Sequence, residues 1–396
     1  MKAFDKLKLI NFKKVLNFDN SNEIFIIDGK VSRESKLDDC EVLDLKDCIL
    51  SPGFIDPQVN GLNNCSFWDL EENNLDEIDK LRIDLAHQGV TGFCPTIITN
   101  SKEKVLKSID LLNKYINNSK NKPGAKILGI HIEGIFISKY GVHEKQYAIN
   151  ELTANNIKPF IKENVVLFTL APELDKTGEA IKFLKENNIT ISIGHTNATY
   201  EEGLKALDEY GLNLCTHMFN AMKGVKGFNH RGIDENNLKI LKDKLLNENK
   251  IDPKNDGIML ALLKHKNVTS MAIPDGLHVS KEVINFLYEL KGKDKFAITT
   301  DMVSSPFFKE SEKKGTLGGG QTSFDKCVFN LNTWNVSNLE DILMSASSTT
   351  SKALNNGRIK SFGEIQYEKD AYITIWDTCQ NKVKGTIIGK NLFLNF

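Results

Sequence analysis

Short apolar runs alternate with amphipathic stretches through most of this chain of 396 residues. Apolar runs bounded by polar residues are typical of buried strands, whereas apolar residues spaced three or four positions apart predict helices. The predicted strands are Ile49–Ile55, Gly92–Ile98, Lys126–Ile132, Val165–Ala171, Thr190–Ile193, Leu212–Thr216, Val268–Ile273 and Phe296–Thr300. Helices are predicted between them, among others at Leu75–His87, Lys102–Ile116, Lys176–Glu186, Glu201–Tyr210 and Glu282–Leu290.

Eight strand-then-helix units predict an α/β fold, a TIM-like (β/α)₈ barrel with the helices outside. A doubly wound open sheet is the alternative, and it needs a glycine-rich turn after an early strand. The run Gly318-Gly319-Gly320 comes too late in the chain and outside that spacing. The pattern therefore favours the barrel.

The two ends of the chain differ from the middle because both are rich in short strand patterns. Glu23–Val31 predicts a hairpin around Asp28-Gly29, and Cys40–Leu50 alternates as a strand does. Tyr372–Trp376 and Thr386–Leu394 show the same pattern near the other end. We expect a small β-sandwich domain built from residues 1–50 and 360–396, and a barrel over residues 51–359. Within the barrel, the polar segment 224–255 interrupts the rhythm and contains one predicted helix, Leu238–Leu246.

Composition excludes several functional classes. The net charge is −1, and a nucleic-acid-binding protein would carry a basic excess. No run approaches the roughly 18 apolar residues that a membrane span needs, and the first 20 residues lack the apolar core of a secretory signal. Seven scattered cysteines fit reduced thiols better than a disulfide framework. We therefore expect a cytoplasmic protein without a nucleic-acid or membrane partner.

Candidate chemistry lies where the predicted strands end, which is the catalytic end of such a barrel. His131 and Glu133 lie at the end of the third strand, and His195, His217, His278 and Asp301 follow the fifth, sixth, seventh and eighth strands. One glutamate and two histidines can hold a divalent ion and leave a position open for water. A further carboxylate beside them can accept a proton from that water, which is the chemistry of amide hydrolysis.

In its motifs the sequence resembles the N-acetylglucosamine-6-phosphate deacetylase family of metal-dependent amidohydrolases. The matching segments run in order from about residue 50 to residue 320. They are Ser51–Asp56 with Gln58–Gly61, His131–Gly134, Gly141–His143, Gly194–Thr199, Thr216–Met222, Asp275–Val279 and Thr300-Asp301, with a weaker match at Gly363–Ile365.

The resemblance implies a role for each matching residue. Glu133, His195 and His217 match the metal ligands, Asp301 the catalytic acid and base, and His143 the group that polarises the acetyl carbonyl. It implies one divalent ion per subunit, for which zinc is the first expectation and iron, cobalt or manganese the alternatives. The substrate-binding positions implied are Val142, His143, Asn220, Ala221, Arg231, Asp275, His278, Leu317, Gly318 and Gly319.

Two features sharpen this expectation. Gln58 and Asn60 stand where many amidohydrolases have His-x-His for a second metal, and neutral amides are poor ligands for transition metals, so a single-metal site is favoured. Arg231 is one of only four arginines among 51 basic residues. A planar guanidinium binds phosphate through two parallel hydrogen bonds, and the resemblance implies that Arg231 reaches the phosphate in the neighbouring subunit of a homodimer.

The implied function is hydrolysis of N-acetyl-D-glucosamine 6-phosphate to D-glucosamine 6-phosphate and acetate in amino-sugar catabolism. The sequence departs from the family pattern at Ile135, after Arg231, at Met302–Pro306 and at Thr349-Thr350. Two alternatives therefore stay open. One is a deacetylase acting on N-acetylgalactosamine 6-phosphate or another acylated amine, and the other is a diverged, non-catalytic sugar-phosphate-binding protein.

Overall fold

The structure is a computed structural model that describes residues 1–19, 21–34, 39–138, 143, 145–225, 235–354, 359 and 361–395. The chain begins with seven strands. They are β1 (Lys2–Ala3), β2 (Lys6–Ile10), β3 (Lys14–Val15), β4 (Glu23–Ile27), β5 (Lys30–Ser32), β6 (Glu41–Asp44) and β7 (Cys48–Pro52). The predicted hairpin is confirmed as β4 and β5, with left-handed backbone at Asp28 and Gly29 in its turn.

The middle of the chain alternates strands and helices. Its elements are β8 (Phe54–Val59), β9 (Gly61–Leu62), β10 (Cys65–Ser66), α1 (Glu77–His87), β11 (Val90–Ile98), α2 (Lys102–Asn118), β12 (Lys126–Ile127), β13 (Ile130–Glu133), α3 (Ala154–Ile157), β14 (Val165–Leu170), α4 (Glu179–Glu186), β15 (Thr190–Ile193), α5 (Tyr200–Asp208), β16 (Leu214–Cys215), α6 (Glu235–Leu246), α7 (Ile258–Lys264), β17 (Thr269–Ala272), α8 (Lys281–Lys291) and β18 (Phe296–Ile298). Four helices and three strands follow, namely α9 (Ser305–Lys313), α10 (Phe324–Thr333), α11 (Leu339–Ser345), α12 (Ser348–Leu354), β19 (Tyr372–Asp377), β20 (Lys382–Ile388) and β21 (Asn391–Leu394).

Eight parallel strands form the predicted barrel. They pair in the order β8-β11-β13-β14-β15-β16-β17-β18. The seam between β18 and β8 is joined largely by side chains, since the Asp56 carboxylate accepts hydrogen bonds from the hydroxyls of Thr299 (3.0 Å) and Thr300 (2.5 Å). Just beyond β8, the backbone N–H of Asn60 donates to the carbonyl of Met302 at 2.7 Å. The barrel is thereby nearly closed.

Two predicted strands are each split in two. The run Ile49–Ile55 divides between β7, which pairs with β19, and β8, which starts the barrel. Gly53 separates them, and a Cβ there would lie 2.1 Å from the Thr91 hydroxyl. The run Lys126–Ile132 divides into β12 and β13 at Gly129, which has φ +152°. In both cases a glycine bends the chain inside a continuous apolar run, which periodicity alone does not register.

Strands from both ends of the chain build two further sheets. One has six strands in the order β1-β21-β20-β19-β7-β3, and the other has four in the order β5-β4-β2-β6. Apolar side chains of both sheets, including Leu7, Ile26, Leu50 and Ile373, form a shared core. The fold is thus a TIM-type barrel with a β-sandwich made by both termini, as predicted, while the domain boundaries near residues 50 and 360 stay a prediction. Over the described residues, no helix combines the length and apolarity needed to cross a bilayer.

Candidate active site

The catalytic candidates lie at the carboxyl ends of the barrel strands. Glu133 is the last residue of β13, while His195, His217 and Asp301 come two or three residues after β15, β16 and β18. These last three have left-handed backbone, with φ of 47°, 25° and 50°. Such conformations cost about 1–3 kcal/mol each and are concentrated at functional sites. Here the extended conformation ends at the residues that carry the candidate side chains.

Three donor atoms converge at the centre of this end of the barrel. Glu133 Oε1 lies 3.2 Å from His195 Nε2 and 2.9 Å from His217 Nε2, and the two Nε2 atoms are 3.0 Å apart. All three residues are buried, with at most 4% of their surface exposed. Burial alone would raise the pKa of Glu133, but the hydrogen bonds and charges of the two histidines hold it well below its usual range. For His217, burial opposes the charged form, yet the bond to Glu133 raises the pKa.

This donor set fits a divalent metal ion. Ligand atoms bound to one ion at about 2.1 Å lie roughly 3 Å apart, as these three do. The Nδ1 atoms of His195 and His217 have no hydrogen-bond partner among the described residues, so the polar contacts of both rings there are made through Nε2, the atom that faces Glu133. A carboxylate with two imidazoles is a donor set for zinc, iron, cobalt or manganese.

His143 lies beside the same cluster. Its ring packs against that of His195, with the centroids 4.1 Å apart and the planes tilted by 37°, and its Nε2 is 4.0 Å from Glu133 Oε2. Glu133, His143 and His195 also offer ligand atoms that all lie within 4.8 Å of one another, so a second grouping of ligands is sterically open to a metal. His143 Nδ1 is 2.8 Å from the hydroxyl of Thr99, which in turn accepts a hydrogen bond from the backbone N–H of Ile135. Burial lowers the pKa of His143 to about 3, so its imidazole is neutral near pH 7.

Asp301 is held by the two amides that the sequence places at the second-metal position. Gln58 Nε2 and Asn60 Nδ2 both donate to Asp301 Oδ1, at 2.7 and 2.6 Å. Burial, followed by the charge of Glu133, raises the pKa of Asp301 to about 7. A buried carboxylate with a pKa near neutrality is suited to accept and return a proton.

Those predicted substrate-binding residues that the structure describes lie in loops at the same end of the barrel. Asn220 and Ala221 follow His217 in a turn in which Ala221 has φ 50°. Asp275 accepts hydrogen bonds from the backbone N–H groups of Leu277 and His278 and lies 2.7 Å from His278 Nδ1. His278 is 5% exposed, its Nε2 lacks a partner in the described part of the chain, and its charge lowers the pKa of Asp301.

The glycine loop, formed by Leu317, Gly318 and Gly319, is largely packed inside the protein. Leu317 is half-buried, whereas Gly318 and Gly319 are buried. Gly319 has φ +90°, and a Cβ there would lie 2.7 Å from the carbonyl oxygen of Asp301. The loop therefore packs against the backbone that carries Asp301. Val142 and Arg231 lie outside the described residues.

Several residues of the site were not predicted from the sequence. Glu173 accepts hydrogen bonds from the Thr196 hydroxyl (2.6 Å) and the Asn197 N–H (2.7 Å), which fixes the turn after His195. Thr99 anchors His143, and Thr216 contacts Gln58. No sequence signal marks these residues, because none of them lies two positions before a predicted ligand on the same face of a strand.

Comparisons with known proteins were made on this fold and site. No family model matches the chain. The chain is 30% identical over 368 residues to the N-acetylglucosamine-6-phosphate deacetylase of Mus musculus, which covers 88% of this chain and 84% of that protein. It is 36% identical over 203 residues to the Caenorhabditis elegans protein of the same name, over 49% of this chain and 46% of that one. This second match therefore spans only about half the length of that relative.

A solved structure shows the same fold over the whole chain. The crystal structure of N-acetylglucosamine-6-phosphate deacetylase from Pasteurella multocida superposes with a TM-score of 0.79 at 23% identity, covering 98% of this chain and 100% of that one. The barrel, the terminal sheets and the Glu/His cluster define a metal-dependent amidohydrolase. Within that class, the chain belongs to the N-acetylglucosamine-6-phosphate deacetylase family.

Proposed function

We propose that the protein hydrolyses the N-acetyl group of N-acetyl-D-glucosamine 6-phosphate, giving D-glucosamine 6-phosphate and acetate. One observation carries this proposal. In this chain, which belongs to the deacetylase family, the three donor atoms of Glu133, His195 and His217 lie within 3.2 Å of one another. Beside them lies the carboxylate of Asp301, which is held by two amides. Family membership supplies the substrate class, and the geometry supplies the means of hydrolysing an amide.

Glu133, His195 and His217 are the proposed ligands of one divalent ion, with zinc as the first candidate. A bound divalent ion supplies Lewis-acid polarisation and makes water a stronger acid. The three ligands leave room for water and substrate, as in other catalytic sites of this type. His143 is farther from Glu133 than the other two imidazoles are, so we assign it to the substrate and not to the metal.

Asp301 is the proposed general base and then general acid. Its Oδ1 is occupied by the amides of Gln58 and Asn60, so Oδ2 is the oxygen that takes a proton from the attacking water. The same carboxyl group then donates this proton to the nitrogen of the leaving amine. The positive charge of a divalent ion held by Glu133, His195 and His217 would lower the pKa of Asp301 and favour the ionised base at neutral pH.

His143 is proposed to stabilise the developing oxyanion. Because the Thr99 hydroxyl already accepts from Ile135 N–H, its own proton is available to His143 Nδ1. In a neutral imidazole, that arrangement places the remaining hydrogen on Nε2. His143 then donates a hydrogen bond to the carbonyl oxygen as negative charge builds there.

The sugar phosphate is proposed to bind across the loops that follow β16, β17 and β18. His278 Nε2 supplies a buried polar group that has no partner in the part of the chain the structure describes, and the turn at Asn220 and Ala221 supplies backbone groups for the phosphate. Roles for Val142, Arg231 and the glycine loop stay predictions, as do the homodimer and the cytoplasmic location.

A substrate panel tests this proposal. The purified protein is analysed for bound metal and then incubated with N-acetylglucosamine 6-phosphate, its galactosamine epimer and unphosphorylated N-acetylglucosamine while acetate release is measured. We expect about one metal ion per chain and release that is fastest with the first compound. Faster acetate release from the galactosamine epimer would make that epimer the substrate instead. Thermal stabilisation by the sugar phosphates without any acetate would instead indicate a non-catalytic binding protein.

A further inference from the structure

Polar side chains inside the barrel continue below the proposed metal site. His131, on β13, is fully buried, with Nδ1 3.0 Å from the carbonyl oxygen of Pro57 and Nε2 2.8 Å from the hydroxyl of Thr169. The Thr216 hydroxyl donates to Gln58 Oε1 at 3.1 Å, and Gln58 Nε2 donates to Asp301 Oδ1 at 2.7 Å. Two hydrogen bonds therefore link Thr216, in the barrel interior, through Gln58 to the proposed general base.

The proton positions follow from counting donors and acceptors. An ionised Asp301 carboxylate can only accept, so Gln58 turns its NH₂ group toward Asp301. The Oε1 atom of the same amide then faces Thr216 and can only accept, so the Thr216 hydroxyl donates to it.

We propose that Thr216 is a positioning residue for proton transfer, because its hydroxyl fixes the Gln58 amide that, with Asn60, immobilises Asp301 Oδ1. This inference rests on the proposed function, in which Asp301 is the general base. Two donors on one carboxylate oxygen prevent rotation about the side-chain bond, and Oδ2 stays directed at the water. Without Thr216, Gln58 Oε1 loses its donor, and the amide is no longer held in one orientation.

Thr216 precedes the proposed ligand His217, so an effect on metal binding must be separated from an effect on Asp301. Thr216→Val keeps the side-chain shape and removes the hydroxyl, whereas Thr216→Ser keeps the hydroxyl. Gln58→Leu removes the amide through which Thr216 is proposed to act. Ser270→Ala is the matched control, since Ser270 is also a buried barrel residue but its hydroxyl has no partner among the described residues.

We expect Thr216→Val to lower kcat about tenfold, because small displacements of a catalytic group are costly, with KM and metal content unchanged. Thr216→Ser should restore kcat, and Ser270→Ala should leave it unchanged. In the Gln58→Leu background, Thr216→Val should have no further effect, as expected of residues that act through one contact. Independent, multiplicative losses, or loss of metal in parallel with kcat, would overturn the proposal.

Crystal structures of the wild-type protein and of Thr216→Val give a readout that does not depend on turnover. We expect the Gln58 amide and the Asp301 carboxylate to change orientation in the variant while His195 and His217 keep theirs. An unchanged Asp301 would overturn the inference. If Asp301 changes orientation in Thr216→Val but the wild-type protein releases no acetate, the positioning role is supported and the proposed function is rejected.

Discussion

The two histidines of the proposed metal site make their hydrogen bonds with the described residues through one ring nitrogen each. Their Nε2 atoms meet Glu133, but their Nδ1 atoms have no hydrogen-bond partner within the described parts of the chain. Metal-bound histidines usually donate this second hydrogen to a carboxylate or carbonyl, which fixes the ring. In this protein the turns that follow β15 and β16 provide that restraint through the backbone, including the contact of Glu173 with Thr196 and Asn197.

Replacing one of these histidines should therefore remove the metal. Since loss of an outer-shell partner alone weakens metal binding by about 10–100-fold, we expect His217→Ala to weaken it by more than about a hundredfold. Metal bound per chain after dialysis, measured by mass spectrometry, checks this. His265→Ala is the control, because His265 pairs with Asp208 far from the site. Full metal content in His217→Ala would exclude His217 as a ligand and favour His143.

The residues at strand ends could be predicted from the sequence, whereas those that support them could not. Glu133, His195, His217 and Asp301 each follow an apolar run, and the rule for barrels places them at one end. Thr216 and Thr99 are ordinary threonines in the sequence. Their roles depend on which residue faces them across the barrel, and this register is set only when all strands are paired.

At the scale of elements, the barrel seam depends on one buried carboxylate. Asp56 on β8 accepts hydrogen bonds from Thr299 and Thr300 just beyond β18, where no regular strand pairing joins the two. Burial raises the pKa of Asp56 to about 6, even though these hydrogen bonds oppose the shift. Its charged form is therefore less favourable in the folded chain than in the unfolded chain.

The sign of the resulting pH dependence follows from this raised pKa. The folded state binds more protons than the unfolded state between about pH 4 and pH 6, so the contribution of Asp56 to stability is lost as the pH rises through 6. Asp56→Asn does not titrate. Between pH 4 and pH 7, we expect the unfolding free energy of the wild type to fall by about 2–3 kcal/mol relative to that of Asp56→Asn. Urea unfolding at both pH values measures it, and an unchanged difference would contradict the shift.

A buried lysine from the next helix, α8, contacts the end of helix α7. Lys291, at the end of α8, donates to the carbonyl oxygens of Leu262 (2.6 Å) and His265 (2.9 Å). Leu262 lies in the last turn of α7, whose carbonyls lack a following helical N–H donor. His265 comes directly after the helix, and its carbonyl also accepts from the backbone N–H of Val268 at 3.2 Å. Lys291→Met keeps the length of the side chain but leaves both oxygens buried without this donor.

We expect Lys291→Met to destabilise the protein by about 1–3 kcal/mol, the range for a buried acceptor left unsatisfied. Lys281→Met, at an exposed position of the same helix, should change stability by less than about 0.5 kcal/mol. Thermal unfolding of the two variants beside the wild type compares them directly. Equal Tm values for both variants would show that the contact does not stabilise α7.

At the scale of the whole molecule, the terminal sheets and the barrel share one core. Trp376, on β19, is fully buried and belongs to the same apolar cluster as the barrel helices, with its ring 6.3 Å from that of Phe54. Thr374 and Thr386 in these sheets also donate to the backbone carbonyls of Gly89 and Ala86, at the end of α1. The sheets are therefore packed and hydrogen-bonded to the barrel.

Such a shared core predicts a single cooperative unfolding transition. We expect Trp376→Ala to lower the stability of the entire chain by about 3–5 kcal/mol, as large-to-small changes of buried tryptophan do. Calorimetry of wild type and variant measures this. Phe393→Leu, a milder change in the same sheet, should shift the same transition by a smaller amount. Two separate transitions, only one of which moves in Trp376→Ala, would instead show that the sheets and the barrel unfold independently.

The overall architecture could be predicted from the sequence because eight strand–helix units and two β-rich ends are large-scale patterns. What the sequence did not reveal was where one sheet gives way to another. Ile49–Ile55 is one apolar run, yet its first half pairs with β19 and its second half opens the barrel. Only the close approach of Thr91 to Gly53 in the folded chain separates them.

The proposal that this chain is a deacetylase with Asp301 as its general base is tested most directly by one comparison. Acetate release from N-acetylglucosamine 6-phosphate is measured at saturating substrate for the metal-loaded wild type and for Asp301→Asn. The loss of a positioned acid and base should lower kcat by about 10²–10⁴-fold. Asp377→Asn, at a buried aspartate of the terminal sheet, should keep full activity. Near wild-type turnover in Asp301→Asn with its metal in place would contradict the account.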